Sequence, residues 1–426
     1  TEKISENPYR LLSFAGGWDE VDRLACEGLG VGWDDERRLA SAVEEVVYRK
    51  FSLGDTYVPR TDLVPGLRKL LRVEHGDMAL LELAIELSER NARLLFDQEG
   101  NAYSLGASIL ENRVVDAIRQ RLGRFSPACH VNEVIRAYED REGISLNKEQ
   151  RDAVHLVADN HFAVVTGGAG CGKTTVMEVI CEILEDQGFD VIQLALAGKA
   201  AKRMTQATGR PAMTLASFIK NVRDQEGGEL HAVRKPSALV VDEASMVDLI
   251  SFSATVDLIS ADTKIVLIGD PHQLPPVGPG LILHCLSEAP EIPHVELKVA
   301  KRFGTEIADL AHHVKDGLLP ARDRFVGPLC FIESEQFDMA EIAANLYLER
   351  SQDTVVLCAT RAVASTVNEI VQRSQSNKRK PLRLWSIEYD RWEEAGFFEG
   401  DLLICTKNHW DLGLQNGSMG RLVSIQ

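Results

Sequence analysis

The sequence predicts an α/β fold built on a parallel sheet and preceded by an all-α region, and three stretches carry that prediction. In the first, the apolar run Phe162 to Val165 breaks into glycines and then opens a helical apolar spacing through Val176, Val179, Ile180 and Ile183. The second, Ala238-Leu239-Val240-Val241, is wholly apolar and ends in Asp242-Glu243. The third, Lys264 to Ile268, ends in Gly269-Asp270-Pro271-His272-Gln273. Unbroken apolar runs suit strands buried on both faces of a parallel sheet, and such sheets bind ligands at the carboxyl ends of their strands. Three strand ends carrying Gly-Lys-Thr, Asp-Glu and Gly-Asp-x-x-Gln point to one site.

Composition bounds the rest. With 426 residues, 45% of them hydrophobic, the chain has material for roughly two to four domains. A net charge of −17 argues against coating nucleic acid by bulk electrostatics, though not against a local basic groove. Two clusters, Lys199, Lys202 and Arg203, and Lys298, Lys301 and Arg302, read either as such a groove or as solvated helix faces. No apolar run reaches the length of about 18 residues that a membrane span needs, and residues 1–5 show no signal pattern, so a cytoplasmic protein without membrane contact is expected. The 8 cysteines are scattered without a C-x-x-C pair, which predicts reduced thiols and no structural metal.

Along the chain, residues 1–145 read as a helical domain. Asn7-Pro8-Tyr9-Arg10-Leu11-Leu12, Gly16-Gly17 and the spacing of Val21, Leu24 and Ala25 suggest helix, glycine hairpin, helix. Such a hairpin either offers N–H groups to a DNA phosphate or is a tight corner in a bundle. Helical spacing continues at Leu39, Val43, Val46 and Val47, around Leu80–Leu87 and over Val114–Leu122, with a turn and short strand near Tyr57-Val58. A boundary is expected near Gly143-Ile144-Ser145. Gln150 then opens a helix, and its amide suits the edge of an adenine.

In the glycine-rich stretch, Gly167, Gly172, Lys173 and Thr174 satisfy the P-loop spacing G-x-x-x-x-G-K-T. Backbone N–H groups across Gly167, Gly168, Gly170, Cys171, Gly172 and Thr175 would surround the phosphates of ATP, Lys173 would reach the β and γ oxygens, and Thr174 would ligate Mg²⁺. Asp242 would hold the same Mg²⁺, directly or through water; Glu243 would orient and deprotonate an attacking water; Gln273 would sense the γ-phosphate. After a second strand, Val191 to Leu196, small and basic residues at Gly198 and Lys199 suit a nucleic-acid backbone, and Thr214 adds a hydroxyl.

Taken in order, G-G-x-G-x-G-K-T, V-D-E-A-S-M-V-D and G-D-x-x-Q-L-P-x-V-G-x-G resemble the RecD-like branch of superfamily-one DNA helicases, the stand-alone type with an amino-terminal helical extension. The resemblance extends to Asn7–Leu12 and to Leu146-Asn147-x-x-Gln150. It implies two RecA-like domains that move 5′ to 3′ along single-stranded DNA, or DNA with a 5′ single-stranded tail, at the expense of ATP. It also implies an adenine contact for Gln150, an arginine finger at Arg302, and DNA-backbone contacts at Thr360 and Arg361. The expected layout is then 146–292 for the first RecA-like domain, 293–385 for an incomplete second one, and 386–426 for part of an SH3-like β-barrel. Strands are expected at Leu329–Ile332 and Thr354–Cys358, helices at Ile307–Val314 and Met339–Leu348, and barrel strands around Asn416-Gly417.

Departures from the family pattern fall on DNA contacts. Leu196-Ala197-Gly198-Lys199 stands where Pro-Thr-Gly-Arg is usual, Ala216 replaces a histidine, and Phe303 replaces the glutamine after the finger arginine. The family's last two motifs have no counterpart before Gln426, so a fragment of a longer helicase is expected, with partners of the repair or conjugation kind. The alternative is an ATP-binding DNA-interaction module or accessory subunit without productive unwinding.

Overall fold

The computed structural model describes residues 4 to 424 apart from 5, 14–15, 74–76, 127–128, 225–235, 300–304, 319, 322–324, 336–337, 352–353, 377–378, 387–390, 407–411 and 413–417. Its contacts divide the chain into two units, Thr1–Arg302 and Phe303–Gln426, and each is taken by itself.

The first unit opens with a 3₁₀ turn, Pro8–Ser13, followed by α1 (Trp18–Arg23) and a π turn, Leu24–Gly28. Trp18 is fully buried, stacks on Tyr9 and donates its Nε1–H to the Leu70 carbonyl at 3.1 Å. Gly16 has no space to spare, because a Cβ there would lie 2.5 Å from Val21 Cγ2. The Gly17 carbonyl caps α1 by accepting from Glu20 and Val21 N–H. Of the two readings of this hairpin, the packed corner matches these contacts.

Helices α2 (Glu36–Ser52), α3 (Arg60–Leu71) and α4 (Met78–Arg90) bury Leu39, Leu63, Leu67 and Leu81 in one core. Beside them stands a small antiparallel sheet of β1 (Tyr57–Val58), β2 (Leu94–Phe96) and β3 (Ala102–Ser104), in the order β1-β3-β2. Only β1 was expected. The hairpin from β2 to β3 turns on Asp97, whose Oδ1 accepts Glu99 and Asn101 N–H, and strands of three residues are too short to show period-2 alternation.

Ser104 caps α5 (Leu105–Arg119) through the Ala107 N–H. Then come α6 (Val131–Glu142), α7 (Lys148–Asp159), β4 (Phe162–Gly167), α8 (Lys173–Asp186), β5 (Asp190–Ala195), α9 (Gly198–Thr208), β6 (Ala212–Thr214), α10 (Leu215–Asp224), β7 (Ser237–Asp242), α11 (Leu249–Val256), β8 (Lys264–Gly269), α12 (Ile282–Glu288) and β9 (His294–Leu297). The six strands β4 to β9 form an all-parallel sheet in the order β6-β5-β7-β8-β4-β9. Alternate residues bury opposite ways, as the pleat requires. Ala163, Val165, Val240 and Ile268 join the core with α7 and α8, whereas Phe162, Val164, Leu239, Val241 and Leu267 join the core with α10 and α11. Helices α5 and α6, assigned by sequence to the helical domain, pack on this sheet: Ile135 and Tyr138 enter the first core, Val114 and Ile118 the second.

Two buried cations fasten the sheet to its surroundings. Arg121, only 2% exposed, donates to the carbonyls of Ala117, Ser260 and Thr263 at 2.6, 2.6 and 2.7 Å, locking the end of α5 to the turn before β8. Lys264 is fully buried at the start of β8. Its ammonium donates at 3.0 Å to the Val157 and Ala158 carbonyls in the last turn of α7 and to Gln187 Oε1, where the helix dipole favours a cation. It also lies 5.1 Å from the Phe189 ring.

The second unit contains α13 (Thr305–Lys315), α14 (Met339–Glu349), α15 (Arg361–Ser376), a hairpin of β10 (Pro381–Ser386) with β11 (Arg391–Phe398), and β12 (Leu402–Ile404) paired with β13 (Met419–Arg421). Asp401 joins the pieces, accepting from Phe398 N–H, Gln372 Nε2 and Arg379 Nη1. The expected helices at 307–314 and 339–348 form. The expected strands at 329–332 and 354–358 do not: both segments run without ladder partners, and Leu357 is 91% exposed. A parallel strand is stable only with neighbours at its edges and cover on both faces, and among the described residues of this unit no strand lies beside either segment. Asn416-Gly417 lies outside the described residues. Among the described residues, no helix is long and apolar enough to cross a membrane.

Burial pushes the Lys264 ammonium down to about 8, against about 10.4 in an unfolded chain. Between those values the unfolded state holds more protons, so this group makes stability rise with pH from about 8 to about 10. The urea midpoint of the wild type should therefore climb more steeply over that range than that of Lys264→Met, and parallel profiles would refute the assignment. Arg121→Ala takes the side-chain donor from the buried Thr263 carbonyl and from the half-buried carbonyls of Ala117 and Ser260, and is expected to cost about 3 kcal/mol in urea unfolding.

Candidate functional site

The phosphate-binding candidate is built where β4 ends. Gly167 is a close-approach glycine: a Cβ would lie 2.9 Å from both Leu297 Cβ and the Leu297 carbonyl oxygen. Gly170 and Gly172 turn the loop with φ of +81° and +82°, a region that side chains avoid. Gly172 is the N-cap of α8 and supplies no side-chain cap. The helix's own bonds begin with Val176 N–H to the Gly172 carbonyl at 3.0 Å. The N–H groups of Lys173, Thr174 and Thr175 consequently have no partner in the helix ladder, and with the helix dipole they form a cradle for an anion. The Lys173 ammonium donates to the carbonyls of Gly167 and Gly168 at 2.6 and 3.1 Å, bridging the loop. Thr174 is exposed, Thr175 and Gly168 are half-buried, and Cys171 is buried, with its thiol pushed up by burial.

Gln150 supports this loop from beneath. It is buried in a capping box with Asn147, its Oε1 accepting the Asn147 N–H at 3.0 Å while Asn147 Oδ1 accepts the Gln150 N–H at 2.9 Å. Its Nε2 donates to the Cys171 carbonyl at 3.3 Å, and a Cβ on Gly172 would fall 2.4 Å from it. Each end of the amide keeps one further hydrogen-bonding valence. Glu149, next to it, was not singled out by sequence. Its carboxylate accepts Lys298 N–H at 2.7 Å and Val299 N–H at 3.2 Å, tying α7 to the segment after β9; a glutamate in a first helical turn carries no motif signal.

Strand β7 ends in Asp242 and is followed by Glu243, held at φ 53°, ψ 40°. The left-handed region costs a non-glycine residue on the order of 1–2 kcal/mol, and such strain collects at functional sites. Burial pushes the Asp242 carboxyl above its usual range, and the adjacent Glu243 charge adds to this. The Glu243 N–H that Asp242 accepts, and the charges of Lys173 and Arg203, pull it back. A desolvated carboxylate and the exposed Thr174 hydroxyl are hard oxygen donors that suit Mg²⁺. Arg203 was noticed by sequence only as part of a basic cluster; the fold brings its charge to Asp242.

At the end of β8, Asp270 Oδ1 accepts the His272 N–H and the Asp270 carbonyl accepts the Gln273 N–H, both at 3.0 Å. The Gln273 side chain is exposed. Gly269 lets β8 approach the Glu243 turn, for a Cβ there would sit 3.0 Å from Ser245 N and 3.1 Å from Ala244 N.

The strand-contact candidates lie farther along the same edge. Ala195 on β5 is in register with both Asp242 on β7 and Thr214 on β6. Gly198 opens α9 with Lys199 exposed beside it. Thr214 is occupied as a cap: its Oγ1 accepts Ser217 N–H at 3.1 Å and shares a 2.7 Å hydrogen bond with Ser217 Oγ. In the second unit Thr360 Oγ1 accepts Val363 N–H at 3.3 Å at the start of α15, with Arg361 exposed next to it. Arg302 lies outside the described residues. Gly172→Ala drives a methyl into the Gln150 amide at an unfavourable φ. It is expected to weaken binding of a fluorescent nucleoside triphosphate about tenfold or more in a fluorescence titration, with circular dichroism unchanged.

The geometry can be set beside known proteins. A model described as an AAA domain matches residues 145–325. The ATP-dependent RecD2 DNA helicase of Deinococcus radiodurans is 26% identical over 456 residues, covering 100% of this chain and 60% of that protein. A conjugal transfer protein TraA of Rhizobium radiobacter is 30% identical, covering 65% of this chain and 25% of its own length. The RecBCD enzyme subunit RecD of Mycolicibacterium smegmatis is 28% identical, covering 65% of this chain and 57% of its own. The chain thus spans less than two thirds of the length of each of these relatives. With its three strand-end motifs on one parallel sheet, the chain is similar to RecD helicases, RecD2 aligning along all of it and RecD along 65% of it.

Proposed function

We propose that the chain carries the ATP-hydrolysing part of a DNA helicase or translocase that moves 5′ to 3′ on single-stranded DNA. One observation carries this reading: Lys173 and Thr174, Asp242 and Glu243, and Asp270 and Gln273 follow the carboxyl ends of β4, β7 and β8, three adjacent strands of one sheet. The N–H groups opening α8 bind the phosphate chain, and Lys173 exchanges its two loop carbonyls for phosphate oxygens. Mg²⁺, held by Thr174 and Asp242, would supply neutralisation of phosphate charge. Glu243 orients and deprotonates the attacking water, Gln273 meets the γ-phosphate, and the free valences of Gln150 meet adenine. Arg302 is the arginine-finger candidate. Gly198, Lys199, Thr214, Thr360 and Arg361 contact the DNA backbone. A cytoplasmic setting and partners of the repair or conjugation kind belong to the same proposal, supported by the kinds of relative found.

The second reading, an ATP-binding module without productive unwinding, is favoured by the capping duty of Thr214, whose Oγ1 is engaged by both the N–H and the Oγ of Ser217; Thr360 only accepts from Val363 N–H and keeps its O–H for a strand. ATP turnover with and without single-stranded DNA, together with displacement of 5′-tailed and 3′-tailed duplexes, separates the two. The helicase reading requires stimulation by the strand and displacement from the 5′ tail; the module reading requires binding without displacement. Glu243→Gln is expected to keep nucleotide affinity and lower kcat by about 10²- to 10⁴-fold, as loss of a general base does. Lys173→Ala should lose nucleotide binding itself, and unchanged turnover in either variant would place the chemistry elsewhere.

A further inference from the structure

The loop that follows β8 is fastened at its far end to the helical region. The Gly280 N–H donates to the Gly54 carbonyl at 2.9 Å. Gly54 has φ +110° and Gly280 φ +91°, so both conformations favour glycine. A Cβ on Gly280 would lie 2.7 Å from Leu249 Cβ and 3.4 Å from Thr56 Cγ2. The same end is held by the Leu249 N–H donating to the Pro279 carbonyl at 2.8 Å. It is also held by the closeness of Gly278 to Asp248, whose carboxylate caps α11 through Ser251 N–H at 2.6 Å. Between these fixed points and Asp270 lie Gln273 and the apolar tip Leu274 and Val277, which are 80% and 91% exposed. Pro276 between them is buried, but the rest of the segment has little packing of its own, so its position is set by Pro276 and by its ends.

The anchor is itself rigidly mounted. Gly54 is followed by β1, which pairs with β3 through Tyr57↔Tyr103 and Val58↔Ala102. Strand β3 runs directly into α5 at Ser104. Helix α5 is held to the sheet by Val114 and Ile118 in its core, by Arg121, and by an Arg113–Asp257 ion pair at 3.0 Å. A continuous path of backbone pairing and packing therefore leads from the parallel sheet, through the helical region, back to the loop bearing Gln273.

We infer that Gly54 and Thr56 are positioning residues for Gln273, making the helical region part of the nucleotide machinery. The inference rests on the proposed role of Gln273 at the γ-phosphate. Gly54→Val in the full chain strains the anchor without touching any residue assigned to nucleotide or DNA. Hydrogen–deuterium exchange over 270–280 reads the anchor, and steady-state ATP turnover reads its consequence. Faster exchange is expected, with kcat lower by on the order of 10²-fold, the loss that a displacement of about 1 Å brings, and nucleotide affinity unchanged. Combining Gly54→Val with Gln273→Ala should lower kcat no further than Gln273→Ala alone. Unchanged exchange, unchanged kcat, or losses that multiply would each overturn the inference. Should Gly54→Val fail to fold, Thr56→Ala, which keeps the glycine, is read in the same two ways. A wild-type chain without ATP turnover would instead sink the proposed function and leave the exchange readout to decide the anchor.

Discussion

Parallel hydrogen bonding of β7, β8 and β4 is the constraint on which the rest depends. With Val241 opposite Leu267 and Thr166 opposite Gly269, the three strands finish together at one edge. Residues distant in sequence, the Lys173 loop, the Asp242-Glu243 pair and the Asp270 turn, arrive there because the strands do. The register is enforced by burial. Residues of β4 and β8 are buried on both faces, and a shift by one residue would exchange the faces and mismatch both cores.

Close approach is the second level of control. Gly167 against Leu297, Gly172 against Gln150 and Gly269 against the turn after Glu243 each lack room for a methyl group, so the three segments of the site are packed against their neighbours by backbone. Within that packing Glu243 occupies a left-handed conformation, and the desolvated Asp242 carboxyl lies under the influence of Lys173 and Arg203. Both are costly on their own terms. They persist because the surrounding strand ends over-determine them.

The helical region is joined to this body by more than a linker. Arg121 satisfies the Thr263 and Ser260 carbonyls at the rear of the sheet, where an unpaired carbonyl or an unpaired cation would be equally unfavourable. Helices α5 and α6 share the two cores of the sheet, and Gly54 reaches the loop of Gln273. A region without a phosphate-loop motif of its own thus meets the parallel sheet at its rear, on both faces and at the carboxyl ends of its strands.

Much of this was legible in the sequence. The wholly apolar runs of β4, β7 and β8 announce doubly buried parallel strands, because only such strands have no polar face. The G-x-x-x-x-G-K-T spacing announces a phosphate cradle, because glycines must turn the loop before the helix opens. Short elements were not legible: β2 and β3 are three residues each, and the stretches around 329–332 and 354–358 have strand-like composition yet pair with nothing described. Composition can determine which segments are apolar and which turns are possible, since these are properties of neighbouring residues. Only the tertiary structure decides that Thr214 serves as a cap, that Gln150 lies buried beneath Gly172, that Arg203 influences Asp242 and that Gly54 holds the loop after β8. Each of these is a contact between segments whose proximity exists only once the sheet has closed.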